Sequence, residues 1–175
     1  MILKIVVAIL VVVAAMLVIA ATKPNAFRIQ RSLAIQAPPE KIFPLINDFH
    51  NWPQWAPRDR EDSTMKRTFS GPENGVGAMS DWSGTGQTGA GRMTITESIP
   101  SKSVTVEVDW RRPFAARNIN QFTLEPDGTA TTVTWTMQGP NLFMMKLMSL
   151  FTNMDRMMGE HFESGLQNLK QAAER

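Results

Sequence analysis

The chain has 175 residues, 18 of them basic and 16 acidic, for a net charge of +2, a length that allows one substantial core with an appendage but no second catalytic domain. Its Lys and Arg residues are scattered rather than striped, so no phosphate-tracking surface and no nucleic-acid partner are expected. The absence of cysteine removes thiol catalysis, disulfides and thiolate metal sites, and twelve Met and nine Phe against no Tyr point to a soft apolar interior suited to a cavity.

Residues 5–21 hold no charged or polar side chain and no Gly or Pro. As a helix they would reach roughly 25 Å, close to the apolar thickness of a bilayer. Residues 1–22 are therefore expected to form a single-pass transmembrane anchor. The alternative is a cleaved signal peptide, with Lys4 as its charged start and Val18-Ile19-Ala20 before the cut, although the apolar run exceeds the usual ~7–15 residues. The amino terminus and Lys4 nearly balance Lys23, Arg28 and Arg31 across the span. A short amino tail and a signal peptide would both export the domain, which sets the expectation on the extracytoplasmic side. Residues 23–26 form a linker that, at ~3.3–3.6 Å each, keeps the domain of residues 27–175 within about 20 Å of the membrane.

In residues 27–36 apolar and polar side chains alternate as in a half-buried strand, with Arg31 the charged exception among Phe27, Ile29, Leu33 and Ile35. Pro38-Pro39-Glu40 opens a helix that buries Ile42, Phe43, Leu45 and Ile46, and Pro44 inside it predicts a kink or an early stop. The aromatic and proline-rich stretch from Asp48 to Pro57 is too irregular for a long element; Trp52 and Trp55 are expected to plug one end of the fold.

Beyond a polar loop, six alternating segments follow, at 64–70, 76–83, 91–99, 102–111, 117–124 and 129–138. Turn signals separate them at 71–75, 84–89, 100–101, 113 and 126–128. Such short connections pair strands antiparallel, and with the first segment they make seven in one sheet. Alternation puts Val104, Val106, Val108 and Trp110 on one side, with Phe122 and Leu124, and with Val133, Trp135 and Met137. That side is expected to face the terminal helix, and Thr132, Thr134 and Thr136 to face away.

Residues 141–153 are apolar nearly all round, with Lys146 the one charge. They predict a short buried helix at the mouth of a cavity, with a lid or membrane-contacting patch as the alternative. Asp155 is expected to cap the last helix, whose stripe of Met158, Phe162, Leu166, Leu169 and Ala173 would be gripped by the sheet.

The succession of first strand, Pro-Pro-Glu helix start, Asp48 followed by Trp52-Pro53-Gln54-Trp55-Ala56-Pro57, hairpins, and a terminal helix ending Gly165-Leu166-Gln167-Asn168-Leu169-Lys170 resembles the START/Bet v 1-like (SRPBCC) superfamily. The likeness is to its polyketide cyclase/dehydrase and lipid-transport branch, over residues 27–174. It rests on pattern and order rather than on a catalytic motif. It implies an α+β helix-grip fold, a seven-stranded curved antiparallel sheet around a long C-terminal helix.

Candidate chemistry is sparse. Gly84-Thr85-Gly86-Gln87-Thr88-Gly89 satisfies the letters of a dinucleotide fingerprint, yet a strand-like segment follows where that motif needs a helix amino terminus. His50 and His161 lack metal-binding spacing, His161 reads as a surface or structural residue with a hydrogen-bonding place in the cavity as the alternative, and no nucleophile elbow is present, so no metal and no cofactor are expected. Glu97 shares strand parity with Met93 and Ile95, which makes it, with Arg92, the candidate acid/base pair beside Asp81. The ligand-binding candidates are Trp82, Trp110, Phe122, Trp135, Met137, Met158 and Phe162, aromatic and thioether side chains suited to an apolar ligand. The expected function is membrane-anchored binding or transport of a hydrophobic small molecule or lipid. A polyketide cyclase or dehydratase using Glu97, and a protein-interaction module with a filled core, are the alternatives.

Overall fold

In a computed structural model, which describes residues 1–57, 64–85, 88–112 and 115–175, the apolar run forms helix α1 (Ile2–Thr22). Strand β1 (Ala26–Ile35) follows, then helix α2 (Pro39–Asn47) and a 3₁₀ helix (Phe49–Gln54). Strands β2 (Lys66–Ser70), β3 (Met79–Ser83), β4 (Ala90–Ile99), β5 (Ser103–Arg112), β6 (Ala116–Asp127) and β7 (Ala130–Pro140) precede helices α3 (Phe143–Met148) and α4 (Met154–Ala173). The seven strands make one antiparallel sheet in the order β1-β7-β6-β5-β4-β3-β2. This is the expected curved sheet with a C-terminal helix, the helix-grip arrangement.

Register explains which residues meet. Ile29 lies opposite Met137, Phe122 opposite Trp135 and Met93 opposite Val108, so period-two alternation delivers one apolar face. Phe162, Leu166, Leu169 and Ala173 of α4 are buried against that face, and the rings of Trp135 and Phe162 stack at 4.2 Å with planes 6° apart. Arg31, the charged exception of β1, also has a reason. It lies over Gly159, where a Cβ would overlap its guanidinium, and reaches Glu163 Oε1 at 2.8 Å and Asp155 Oδ2 at 3.1 Å. The hydrogen bond to Asp155, then that to Glu163, raises the Arg31 pKa above its ordinary value.

Several local expectations are corrected. The helix α2 continues through Pro44 for nine residues rather than stopping early. Strand β3 starts at Met79 instead of residue 76, because Gly77 takes φ +89° and turns the chain. Pro126 lies inside β6, not in the turn. Asn153, not Asp155, caps α4, its Oδ1 accepting from the Arg156 amide at 3.0 Å. Thr136 faces away from the helix as expected, yet is buried there, donating to Gln30 Oε1 at 3.3 Å. The loop after Pro57, the turn at Pro113, and Gly86-Gln87 lie outside the described residues.

The largest correction concerns α3 and its neighbours. Lys146 is 5% exposed, whereas Phe143, Met144 and Phe151 are 49%, 58% and 70% exposed. The lysine is buried because its amine donates to Asn25 Oδ1 at 2.6 Å, and Lys23 donates in turn to Ser149 Oγ at 2.7 Å. These bonds tie α3 to the linker beneath α1, whose Ala20 is buried, and turn the apolar side chains outward. Strand direction then places β1's start, β7's end and α3 at one end of the sheet, the end to which α1 attaches.

Candidate functional site

The apolar face of the sheet and α4 do not close everywhere. A cavity of about 90 Å³ remains between them, lined among others by Trp82, Met93, Val108, Trp110, Trp135 and Met137 of the sheet, by Trp52 and Ala56 of the 3₁₀ helix and the residues after it, and by Met158 and Phe162 of α4. Its strand residues sit near the α1 end: Trp82 is next to the last residue of β3, Trp110 is two before the end of β5, and Met137 is three before the end of β7.

The floor between Trp82 and Trp110 depends on Gly91, which lies opposite both. A Cβ there would collide with the Trp82 ring and the Asp109 carbonyl. Without one, the two indoles meet edge to face at 5.1 Å and 83°, the geometry favoured by aromatic quadrupoles. Trp82 Nε1 donates to the Thr88 carbonyl at 3.1 Å, which fixes the ring as part of the wall.

Of the seven expected ligand-binding residues, Trp82, Trp110, Trp135, Met137, Met158 and Phe162 are gathered around this cavity. Phe122 is not. It is fully buried and packs edge to face against Trp55 at 5.8 Å and at a 35° tilt against Trp135 at 5.0 Å, so it supports the wall from behind. Trp52, expected to be a plug, reaches the cavity as well, with its indole N–H held by the Ile46 carbonyl at 2.9 Å.

Glu97 is placed on the other side of the sheet. Ile95 pairs with Val106 and Glu97 with Thr105, so Thr96 is an extra residue that shifts the register. Such a bulge reverses the alternation beyond it. Ser98 therefore takes the inward position and donates to Asn47 Oδ1 at 2.7 Å, while Glu97 is exposed and accepts from Thr105 Oγ1 at 3.1 Å. Arg92 also points outward, bonded to Asp81 at 2.8 and 3.1 Å. That hydrogen bond, and the charge of Asp81, raise the Arg92 pKa. The candidate acid/base pair thus lies outside the cavity.

Three polar side chains line the cavity instead: Arg67, Asn120 and His161. Arg67 Nη1 donates to the buried Ser80 Oγ at 2.6 Å. Asn120 Oδ1 accepts from Trp135 Nε1 at 2.8 Å. Asn120 had a visible signal, since it shares inward parity with Phe122 and Leu124. No Asp or Glu is among the described lining residues. The GxGxxG letters fall between β3 and β4, and β4 begins right after Gly89, so among the described residues no helix amino terminus is presented there.

Comparison with known proteins agrees with this geometry. Protein CV1439 from Chromobacterium violaceum superimposes with a TM-score of 0.60 at 14% identity, covering 87% of this chain and 99% of its own. Ginseng major latex-like protein 151 from Panax ginseng gives 0.60 at 12% identity, covering 85% and 97%. The Aha1 dimer from Colwellia psychrerythraea gives 0.55 at 20% identity, covering 84% and 96%. At these identities the likeness is one of fold. No curated protein matches the sequence. The family model described as polyketide cyclase/dehydrase and lipid transport matches residues 26–174, and the chain belongs to that family.

Proposed function

We propose that this is a membrane-anchored domain that binds a hydrophobic small molecule or lipid between its sheet and α4, and hands it to or takes it from the adjacent bilayer without chemical turnover. The observation that carries this reading is an aromatic-walled cavity at the end of the sheet to which α1 is attached. At that same end, Phe143, Met144 and Phe151 present apolar surface of the kind that enters a membrane interface. Retention of α1 as an anchor, rather than its removal as a signal peptide, is supported by the buried Ala20 and by the bonds from Lys23 to Ser149. In this reading the domain lies on the extracytoplasmic side.

A cyclase reading is less well supported, because its carboxylate, Glu97, is exposed on the outer face. A filled-core interaction module fits poorly with the open cavity. The test is native mass spectrometry of the full chain extracted from membranes in a mild detergent. A stoichiometric apolar small molecule is expected to remain bound in the gas phase. Repeated recovery of the empty chain, including after incubation with total membrane lipid, would overturn the reading.

A further inference from the structure

The cavity wall contains one polar group whose bonding is incomplete. Asn120 is 8% exposed and lies on β6 opposite Met137 and Val106, at an inward position. Its Oδ1 accepts from Trp135 Nε1 at 2.8 Å. An indole N–H can only donate, so Trp135 dictates which end of the amide is oxygen. The Nδ2 end is left over with two N–H groups, and among the described residues no acceptor pairs with it.

A buried donor with no acceptor costs free energy and calls for a partner. Among the described lining side chains, His161 alone besides Asn120 could supply one. Trp82, Met93, Val108, Met137 and Phe162 have no strong acceptor, Arg67 carries donors alone, and His161 is the one lining side chain besides Asn120 that can take either role. The polarity of the cavity is therefore one-sided. Donors and a guanidinium line it, and no described carboxylate does. A ligand amine or ammonium would find no counter-charge among the described lining residues, and a plain hydrocarbon would leave the Asn120 amide bare.

We propose that Asn120 is a specificity residue, its Nδ2 donating to a hydrogen-bond-accepting oxygen, a carbonyl or carboxylate, at the end of an otherwise apolar ligand. This deepens the binding reading above and rests on it. The size agrees, since about 90 Å³ holds the end of a molecule while the remainder extends toward the α1 end. Arg67 separates the two forms of the oxygen, because its charge adds attraction for a carboxylate and little for a ketone.

The experiment uses the full chain in detergent micelles and four probes of matched length: 2-dodecanone, dodecanoic acid, dodecane and dodecylamine. Binding is read by quenching of tryptophan fluorescence and by native mass spectrometry. The ketone and the acid are expected to bind about tenfold tighter than dodecane, the order one buried hydrogen bond supplies, and the amine to bind weakest. Asn120→Asp keeps the acceptor for Trp135 and removes the donor, so it should abolish the preference for the ketone and raise amine binding. Arg67→Gln should weaken the acid and spare the ketone if the natural oxygen is a carboxylate; equal or tighter binding of the ketone by the unmodified chain assigns a carbonyl.

Equal binding of dodecane and ketone by the unmodified chain, or an unchanged ketone preference in Asn120→Asp, would overturn the role of Asn120 while leaving apolar binding intact. Failure of all four probes to bind would overturn the binding reading itself. The comparison among probes on the unmodified chain needs no variant, so it stands even if a substitution impairs folding.

Discussion

The two ends of the sheet are built from the same residue types and finished differently. At the end away from α1, Ile35, Ile42, Ile46, Phe49, Trp55, Leu169 and Ala173 have essentially no exposed surface, and Trp55 Nε1 is held by the Leu45 carbonyl at 2.8 Å. At the α1 end, Trp110 and Met158 are partly exposed, and the space beside them is open. Burial of large side chains without voids is what stabilises a domain. A space left open forgoes that packing and gains room for a ligand. In the proposed reading the far end therefore carries the stability and the near end the binding, and substitutions at the two ends should have separable effects.

The largest separation is expected between two tryptophans. Trp55→Ala empties a fully enclosed site and should cost about 3–5 kcal/mol. Trp110→Ala removes a ring that already borders open space, so it should cost less than half as much. Chemical denaturation of the full chain followed by far-ultraviolet circular dichroism measures both. Equal losses would mean that the cavity end is as tightly packed as the other.

The same contrast governs what was legible in the sequence. Period-two alternation identified all seven strands and the inward face, because a strand with one wet face has no other way to arrange Val104, Val106 and Val108. The filled end followed from Trp55 and the helix start at Pro39. The cavity end was harder. Of its polar members, Asn120 was signalled by its parity with Phe122 and Leu124, whereas Arg67 looks like an ordinary strand polar residue until the register pairs it with Trp82. The bulge at Thr96 has no marker, since neither Gly nor Pro stands there, and one extra residue sufficed to send Glu97 to the wrong side. Around α3, an apolar segment can be buried in protein or set against lipid with the same residues. The position of Lys146 decided which face turned inward, through a partner, Asn25, more than a hundred residues earlier.

A smaller effect tests the placement of Glu97. On the outer face, Glu97→Gln removes a charge that touches Thr105 Oγ1 at 3.1 Å and nothing in the cavity. The stability change should stay within about 0.5 kcal/mol, as for other surface substitutions. Ligand retained in native mass spectrometry should be unchanged. Loss of bound ligand in this variant would return Glu97 to the cavity and undo the distinction between the two faces of β4.

The smallest expected effect lies at the carboxyl end of α4, where the closed end of the fold is fastened by one carboxylate. Glu174 Oε1 accepts from Lys170 Nζ and from the Gln36 amide, each at 2.6 Å. The hydrogen bond from Lys170, followed by that from the Gln36 backbone, lowers the Glu174 pKa below its ordinary value of 4.5. With the folded pKa below the unfolded one, the unfolded chain binds more protons in this range, so stability rises with pH. The contribution is complete above pH 4.5 and is lost as the pH falls through the depressed folded value. Because the group is partly open to solvent, the effect should be local. Hydrogen exchange at the Gln36 amide, compared at equal intrinsic rate, should accelerate on acidification below that point, and Glu174→Gln should remove most of the pH dependence. An amide whose protection does not change with pH would show that α4 is fastened at its end by packing of Leu169 and Ala173 alone.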